Sequence, residues 1–224
     1  MIRKKFRTWA CTALLLALCI CCGAIVACSS GQTAQPANGG FGISPTSTNF
    51  IAGQSGDLIL LLGEETQSLT LTADGENVAA ENYTVEGDTL RIAEEFLASL
   101  SRGAHTFTAD NGEEEKQFTV TCYAVAGVSP QAGEFKWDAP EDLVFTVDLG
   151  GAAFVSVELG EETLAASEFT FADNTLTLPH ETIEMHCTDG ANTFVLNTAV
   201  AATEFIVNCS YKNATPEFDT SVYK

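Results

Sequence analysis

The sequence predicts an all-β protein of two tandem sandwiches. Three observations carry that reading: an internal repeat, short runs of strand-type apolar periodicity, and turn residues set between them. Residues 43 to 122 return in altered form as residues 128 to 209. Ile43-Ser44-Pro45 recurs as Val128-Ser129-Pro130, Phe50 as Phe135 and Asp57-Leu58 as Asp142-Leu143, all 85 positions on. Later landmarks drift by a residue or two. Tyr83-Thr84-Val85 matches Phe169-Thr170-Phe171, and Asp88-Thr89-Leu90-Arg91-Ile92 matches Asn174-Thr175-Leu176-Thr177-Leu178. Gly103-Ala104-His105-Thr106-Phe107 matches Gly190-Ala191-Asn192-Thr193-Phe194, and Phe118 to Cys122 matches Phe205 to Cys209. One module is used twice.

In the first copy, Leu58 to Leu62 is a continuous apolar run of strand length and Leu69-Thr70-Leu71-Thr72 alternates with period two, so both read as strands. Asp74-Gly75 marks a turn. Tyr83-Thr84-Val85 and Thr89 to Ile92 flank the turn Glu86-Gly87-Asp88. His105 to Ala109 pairs across Asn111-Gly112 with Gln117 to Cys122, giving an antiparallel meander. Phe96, Leu97 and Leu100 sit at helical spacing and predict a helical turn over Glu94 to Leu100. The second copy places strands over Leu143 to Val147, Phe154 to Leu159, Phe169 to Phe171, Thr175 to Leu178, Thr193 to Leu196 and Glu204 to Cys209. Where the first copy has its helical turn, the second has Pro179 to Cys187, which reads as loss of that turn. Two short sheets in roughly 80 to 85 residues per unit describe an immunoglobulin-like β-sandwich. The expected domains span 43–123 and 128–210. Their joint, Tyr123 to Gly127, is short and mostly apolar, which favours end-to-end packing with limited freedom.

The segments outside the domains speak of location. Arg3, Lys4, Lys5 and Arg7 head an apolar run from Trp9 to Ala27, the pattern of a targeting sequence. Ile25-Val26-Ala27-Cys28 resembles the bacterial lipobox, which makes 1–27 a lipoprotein signal peptide and Cys28 a lipidated anchor to the membrane. Diacylation supplies the two chains that stable anchoring needs. Residues 28–42 are small, polar and Gly-rich, a flexible tether, and 211–224 form a C-terminal tail. The expected place is the extracellular face of a bacterial membrane. Removing 1–27 takes four of ten Lys+Arg and none of thirty Asp+Glu, leaving 6 − 30 = −24. Such a field repels phosphate backbones and excludes nucleic acid as a partner. Glu113-Glu114-Glu115 and Glu161-Glu162 read as solvated turns rather than alternating calcium-ligand loops.

Of eight cysteines, Cys11, Cys19, Cys21 and Cys22 leave with the signal and Cys28 carries lipid. Cys187 precedes one strand of the last hairpin and Cys209 ends the other, so the two can meet; a disulfide between them is expected in an oxidising exterior. Leu100 takes the place of Cys187 in the first copy, leaving Cys122 free.

Ile43-Ser44-Pro45-Thr46, Phe50, Gly56-Asp57-Leu58, Tyr83 to Leu90, Phe96 to Leu100 and Gly103 to Phe107 resemble the carbohydrate-binding X2 module. The likeness covers nearly all of the first copy; the second replaces Tyr-Thr-Val-x-Gly with Phe169-Thr170-Phe171-Ala172-Asp173. The resemblance implies an immunoglobulin-like module of the kind found beside cellulase domains and in cellulosome scaffolds, associated with polysaccharide or bacterial-surface attachment. It implies no particular contact residues, because the matched positions are core, edge and turn positions. Sugar faces are usually met by flat aromatic rings, and the candidates are Trp137, Tyr123 and Tyr211, with Tyr83 at a core position. Alternation puts Trp137 on the face of Phe135, so core or interdomain packing competes with stacking on a ligand. His180, His186, Cys187 and Cys209 match no zinc spacing, and no metal or cofactor is expected. The chain carries no nucleophile elbow, His-Glu-x-x-His pair or phosphate loop, and no enzyme activity is expected. Two functions remain: non-catalytic binding of extracellular polysaccharide or cell wall, or a structural spacer or adhesion stalk that meets surface proteins without sugar affinity.

Overall fold

Eighteen strands form along residues 40–211, the part of the chain that the computed structural model describes. The predicted signal peptide, Cys28, most of the tether and the tail beyond Tyr211 lie outside the described residues. In the first domain, β1 (Ile43–Ser44), β2 (Ser47–Ile51), β3 (Leu58–Leu62), β4 (Thr70–Ala73), β5 (Glu76–Asn77), β6 (Tyr83–Glu86) and β7 (Thr89–Ile92) lead to α1 (Glu94–Ser99), then β8 (Gly103–Asp110) and β9 (Glu115–Tyr123). In the second, β10 (Gly127–Ser129), β11 (Ala132–Lys136), β12 (Leu143–Asp148), β13 (Phe154–Leu159), β14 (Glu162–Thr163), β15 (Thr170–Ala172) and β16 (Thr175–Leu178) lead to α2 (His180–His186), then β17 (Gly190–Thr198) and β18 (Ala202–Ser210). Each domain is two sheets face to face. The sheet orders are β1-β3-β7-β6 with β2-β9-β8-β4-β5, and β10-β12-β16-β15 with β11-β18-β17-β13-β14. This is an all-β, immunoglobulin-like architecture, made twice.

The antiparallel meander expected from sequence is corrected in two respects. Neighbours in sequence are often not neighbours in the sheet, and β2 and β11 run parallel to the last strand of their domain, with Phe50 beside Cys122 and Phe135 beside Cys209. The proline between β1 and β2, and between β10 and β11, is the cause. It has no N–H for the ladder, so pairing stops and the chain crosses to the opposite sheet.

Alternation fills the gap between the sheets. Leu60, Leu90, Ile92 and Leu97 pack against Phe107 and Phe118 in the first domain, and Phe145, Leu176, Leu178 and Ile183 against Phe194 and Phe205 in the second. Phe107 and Phe118 stack at 5.1 Å between ring centroids, and Phe194 and Phe205 at 5.4 Å. Pairs of this kind add about 1 kcal/mol beyond their buried area.

The loss of the second helical turn is also corrected: α2 has seven residues against six in α1. Ile183 fills the place of Leu97, and Pro179, with φ −58°, presets the chain for entry. An aspartate just before a distant strand, β3 or β12, holds each start. Asp57 Oδ1 accepts the N–H of Glu94 at 2.9 Å, and Asp142 Oδ1 that of His180 at 2.9 Å. The repeated Asp-Leu pair is thus a helix cap supplied from a distance, satisfying a donor the helix cannot.

The two sandwiches meet at the β12–β13 turn. Ala124 N–H donates to the Gly150 carbonyl at 2.9 Å, and Thr203 Oγ1 donates to the Ala126 carbonyl at 2.8 Å. Arg102 grips Asp148 with two bonds, 2.7 and 2.8 Å. Both side chains are about half exposed, so solvent screens the pair; its value lies in the fixed fork geometry. Gly150 adopts φ +68°, and a Cβ there would lie 1.9 Å from the Ala124 carbonyl oxygen. Gly150→Ala is therefore expected to cost roughly 1–3 kcal/mol and to open the joint. Small-angle scattering should then show a broader spread of interdomain distances while each sandwich keeps its own spectrum; an unchanged profile would show that this contact does not hold the joint.

Candidate functional site

The aromatic candidates separate into structural and accessible rings. Tyr83 is structural: its hydroxyl donates to the Leu69 carbonyl at 2.8 Å. Tyr123 is half-buried at the end of β9, and among the described residues it makes no ring contact with Tyr211. Trp137 follows β11 and packs edge-on against Phe135, 5.2 Å between centroids, as alternation requires. Its backbone N–H donates to the Ser210 carbonyl at 3.1 Å. That bond draws the end of β11 to the end of β18 and sets Tyr211 over Trp137 at 6.4 Å and 41°. Tyr211 is 65% exposed and Trp137 is half-buried. The pair is one accessible ring with a second tilted beneath it, not a coplanar platform.

Polar groups flank this edge. Lys136 Nζ donates to Ser210 Oγ at 2.9 Å, and Asn208 Nδ2 donates to Glu134 Oε1 at 3.0 Å. A cleft of about 270 Å³ runs beside β11, lined by Glu134, Phe135, Lys136, Glu141 and Asp142 among others.

A larger cleft, about 400 Å³, lies in the first domain between α1 and the β4–β5 turn, lined by Asp74, Glu76, Asn77, Phe96, Ser101 and His105 among others. His105 was invisible as a site in the sequence, although a polar residue on an inward strand position signals a partner. It is 7% exposed. Its Nδ1 lies 2.6 Å from Asp74 Oδ2 and its Nε2 2.7 Å from the Ser101 carbonyl. Two acceptors demand two N–H groups, so the geometry calls for the imidazolium. The Ser101 carbonyl and then Asp74 raise the pKa of His105, and His105 holds the Asp74 carboxyl below its ordinary range. Asp74, Ser101 and His105 thus form no nucleophilic triad: the serine offers its carbonyl, and neither ring nitrogen is open as a base. In the second domain Asn192 does the same work without charge, donating to the Thr188 carbonyl at 2.8 Å.

Cys187 and Cys209 both lie in the core of the second domain. Both are buried, and where the sequence predicts a disulfide they are free thiols in this structure. Burial pushes Cys187 up to about 12, so neither is a ready nucleophile. Cys122 is also a free, buried thiol, 3.9 Å from the Leu97 carbonyl. The histidines stand apart from the thiols. His186 Nε2 lies 2.9 Å from Glu168, whose carboxyl it holds below the ordinary range. Asp142, His180 and Glu181 could bring three ligand atoms within 4.8 Å of one another. There His180 Nδ1 already lies 3.0 Å from the Asp142 oxygen that caps α2. Glu113, Glu114, Glu161 and Glu162 lie exposed.

No family model and no curated protein matches the chain. Solved structures match it at low identity. A tri-modular GH5 endo-β-1,4-glucanase from Bacillus licheniformis, complexed with cellotetraose, is 18% identical with a TM-score of 0.39, and the match covers 75% of this chain. The chain spans only 38% of that enzyme's length. Extracellular domains 3–5 of Drosophila OTK are 16% identical over 78% of this chain and 62% of theirs, with a TM-score of 0.43. Titin domains I67–I69, in an E-to-A variant, are 16% identical over 77% of this chain and 65% of theirs, with a TM-score of 0.44. The class is defined by the sheets themselves: a tandem of immunoglobulin-like sandwiches.

Two predictions follow from this geometry. A histidine with a raised pKa stabilises fully below its ordinary value, near 6.5, and the gain is lost as pH rises through the raised value; Asp74, with a lowered pKa, loses its contribution as pH falls through its own. Replacing His105 with Asn, as in the second domain, should therefore cost stability at about pH 6 and progressively less toward pH 9, read as the gap in urea midpoints. A gap independent of pH would mean that His105 is not the charged partner. For the thiols, mild oxidation should remove two hydrogens by mass and leave Cys122 as the sole alkylatable site among the three; three thiols after oxidation would exclude the pairing.

Proposed function

We propose that the chain is a lipid-anchored, non-catalytic module on the outer face of a bacterial membrane, held through Cys28, that attaches to extracellular polysaccharide or cell wall. The X2 resemblance and the lipobox-like Ile25 to Cys28 support this reading. The observation that carries it is the Trp137–Tyr211 edge: an accessible ring backed by a second, with Lys136, Ser210, Glu134 and Asn208 beside it. Such an edge offers a sugar both apolar contact and hydrogen bonds. A second reading is a spacer or adhesion stalk that meets surface proteins. The interdomain contact favours it, because Gly150 and Arg102 hold the two domains as one strut, and so does the tilt of the rings.

Retention of the full chain, in mild detergent, on insoluble cellulose, chitin, xylan and purified cell wall separates the two. Binding should fall by about tenfold, the effect of losing about 1.4 kcal/mol, in Trp137→Ala or Tyr211→Ala. Wild-type protein that passes every matrix unretained would leave the spacer reading.

A further inference from the structure

The outer face of the larger sheet in the first domain is assembled from three rows across the strands. Thr72 lies beside Thr108 and Gln117, Thr106 beside Thr119 and Ser47, and Ala104 beside Thr121 and Asn49. Their chain neighbours Leu71, Phe107, Phe118, Val120 and Cys122 are buried, so alternation turns these nine side chains to the outside. None is charged. The acidic pair Asp110 and Glu115 lies at the end of the β8–β9 ladder, beyond the three rows. The five threonine hydroxyls make no side-chain hydrogen bond among the described residues, whereas those of Thr182, Thr198 and Thr203 are committed to the carbonyls of Glu168, Ala201 and Ala126.

The second domain provides the comparison. At the matching register positions it has Glu158 for Thr72, Glu204 for Gln117, Glu134 for Asn49 and Ile206 for Thr119. The same backbone therefore carries three carboxylates in one domain and none in the other. In a chain of formal charge −20, the neutral face is a local property of the first domain and not a consequence of composition.

The chemistry narrows what can cover such a face. A polyanion is repelled by the carboxylates around it. A polycation is drawn to the carboxylates at its rim, Asp74, whose Oδ1 accepts the Thr106 N–H, and the pair Asp110 and Glu115, and finds none within the face. An uncharged polyhydroxyl chain finds free hydroxyls and amides for hydrogen bonds, with threonine methyls between them, on strands about 4.8 Å apart. We infer that this threonine face binds an uncharged polysaccharide, as a second contact independent of the Trp137–Tyr211 edge. The inference rests on the polysaccharide-binding reading, and it adds that the ligand is neutral. With both contacts on one chain, the two engage a single strand or two neighbouring ones bivalently.

The test uses the full-length protein in mild detergent on insoluble cellulose, xylan and chitin, and on an acidic wall polymer. Variants are Thr119→Glu, which puts a carboxylate in the middle row, Thr119→Ser, which keeps the hydroxyl, and Trp137→Ala. Thr106→Glu replaces Thr119→Glu if circular dichroism shows that the latter is unfolded. Retention on a neutral matrix should persist at high salt, fall about tenfold in the glutamate variant and survive in Thr119→Ser. Retention that the glutamate variants leave intact but Trp137→Ala abolishes would overturn the face and spare the proposed function. Wild-type protein retained on none of the matrices would overturn both. Retention confined to the acidic polymer would overturn the neutral-ligand assignment. A dimer in sedimentation that dissociates in Thr119→Glu would reassign the face to self-association.

Discussion

Between the Ala124 carbonyl oxygen and Gly150 there is no room for a Cβ, and this close approach is where the two sandwiches touch. Each domain satisfies its own core without the other. What neither can supply alone is a constant relation between its surfaces and those of its neighbour. Backbone contact does this better than side chains, because it has no rotamers to average over. The Arg102–Asp148 fork adds direction to a contact that already has position. Any function that uses both domains at once inherits this geometry, whether the surfaces meet a polymer or only hold a partner at a distance.

The duplication explains the fold, and its failures explain the individuality of each domain. At a spacing of 85, Gly63 stands where Asp148 is and Glu65 where Gly150 is; at the later spacing of 87, Asp189 takes the place of Arg102. The interdomain contact is therefore written once, at the internal joint, and not at either outer end. A like substitution separates His105 from Asn192. One buried position keeps its duty, to bind the carbonyl before the β8 or β17 strand, but it does so with a charge in one domain and without one in the other. The neutral threonine face and its carboxylate-bearing twin follow the same logic at the surface.

Much of the fold was legible because apolar periodicity reports burial directly. The runs Leu58 to Leu62 and Thr89 to Ile92 coincide residue by residue with β3 and β7. The parallel pairing of β2 and β11 was not, since strand direction is decided by where the chain crosses between sheets. The second helix was missed because Pro179 reads locally as a breaker, while its function here is to start the helix that Asp142 caps from 38 residues away. Among site residues, Trp137 and Tyr211 were named separately; only the bond from Trp137 N–H to the Ser210 carbonyl brings their rings together. Arg102 gives no signal and the inward polar position of His105 signals a partner without naming it, because each depends on an acceptor distant in sequence, 46 and 31 residues away.

By itself, then, the amino-acid sequence determined the repeat, the sandwich class, which residues face inward and the overall acidity, because these follow from local periodicity and composition. Only the tertiary structure decided the joint, the pairing of Trp137 with Tyr211, the charged state demanded of His105 and the gathering of five threonines onto one uncharged face. Those features depend on strand register and on backbone approach between segments far apart in the chain, and neither leaves a pattern within a single strand.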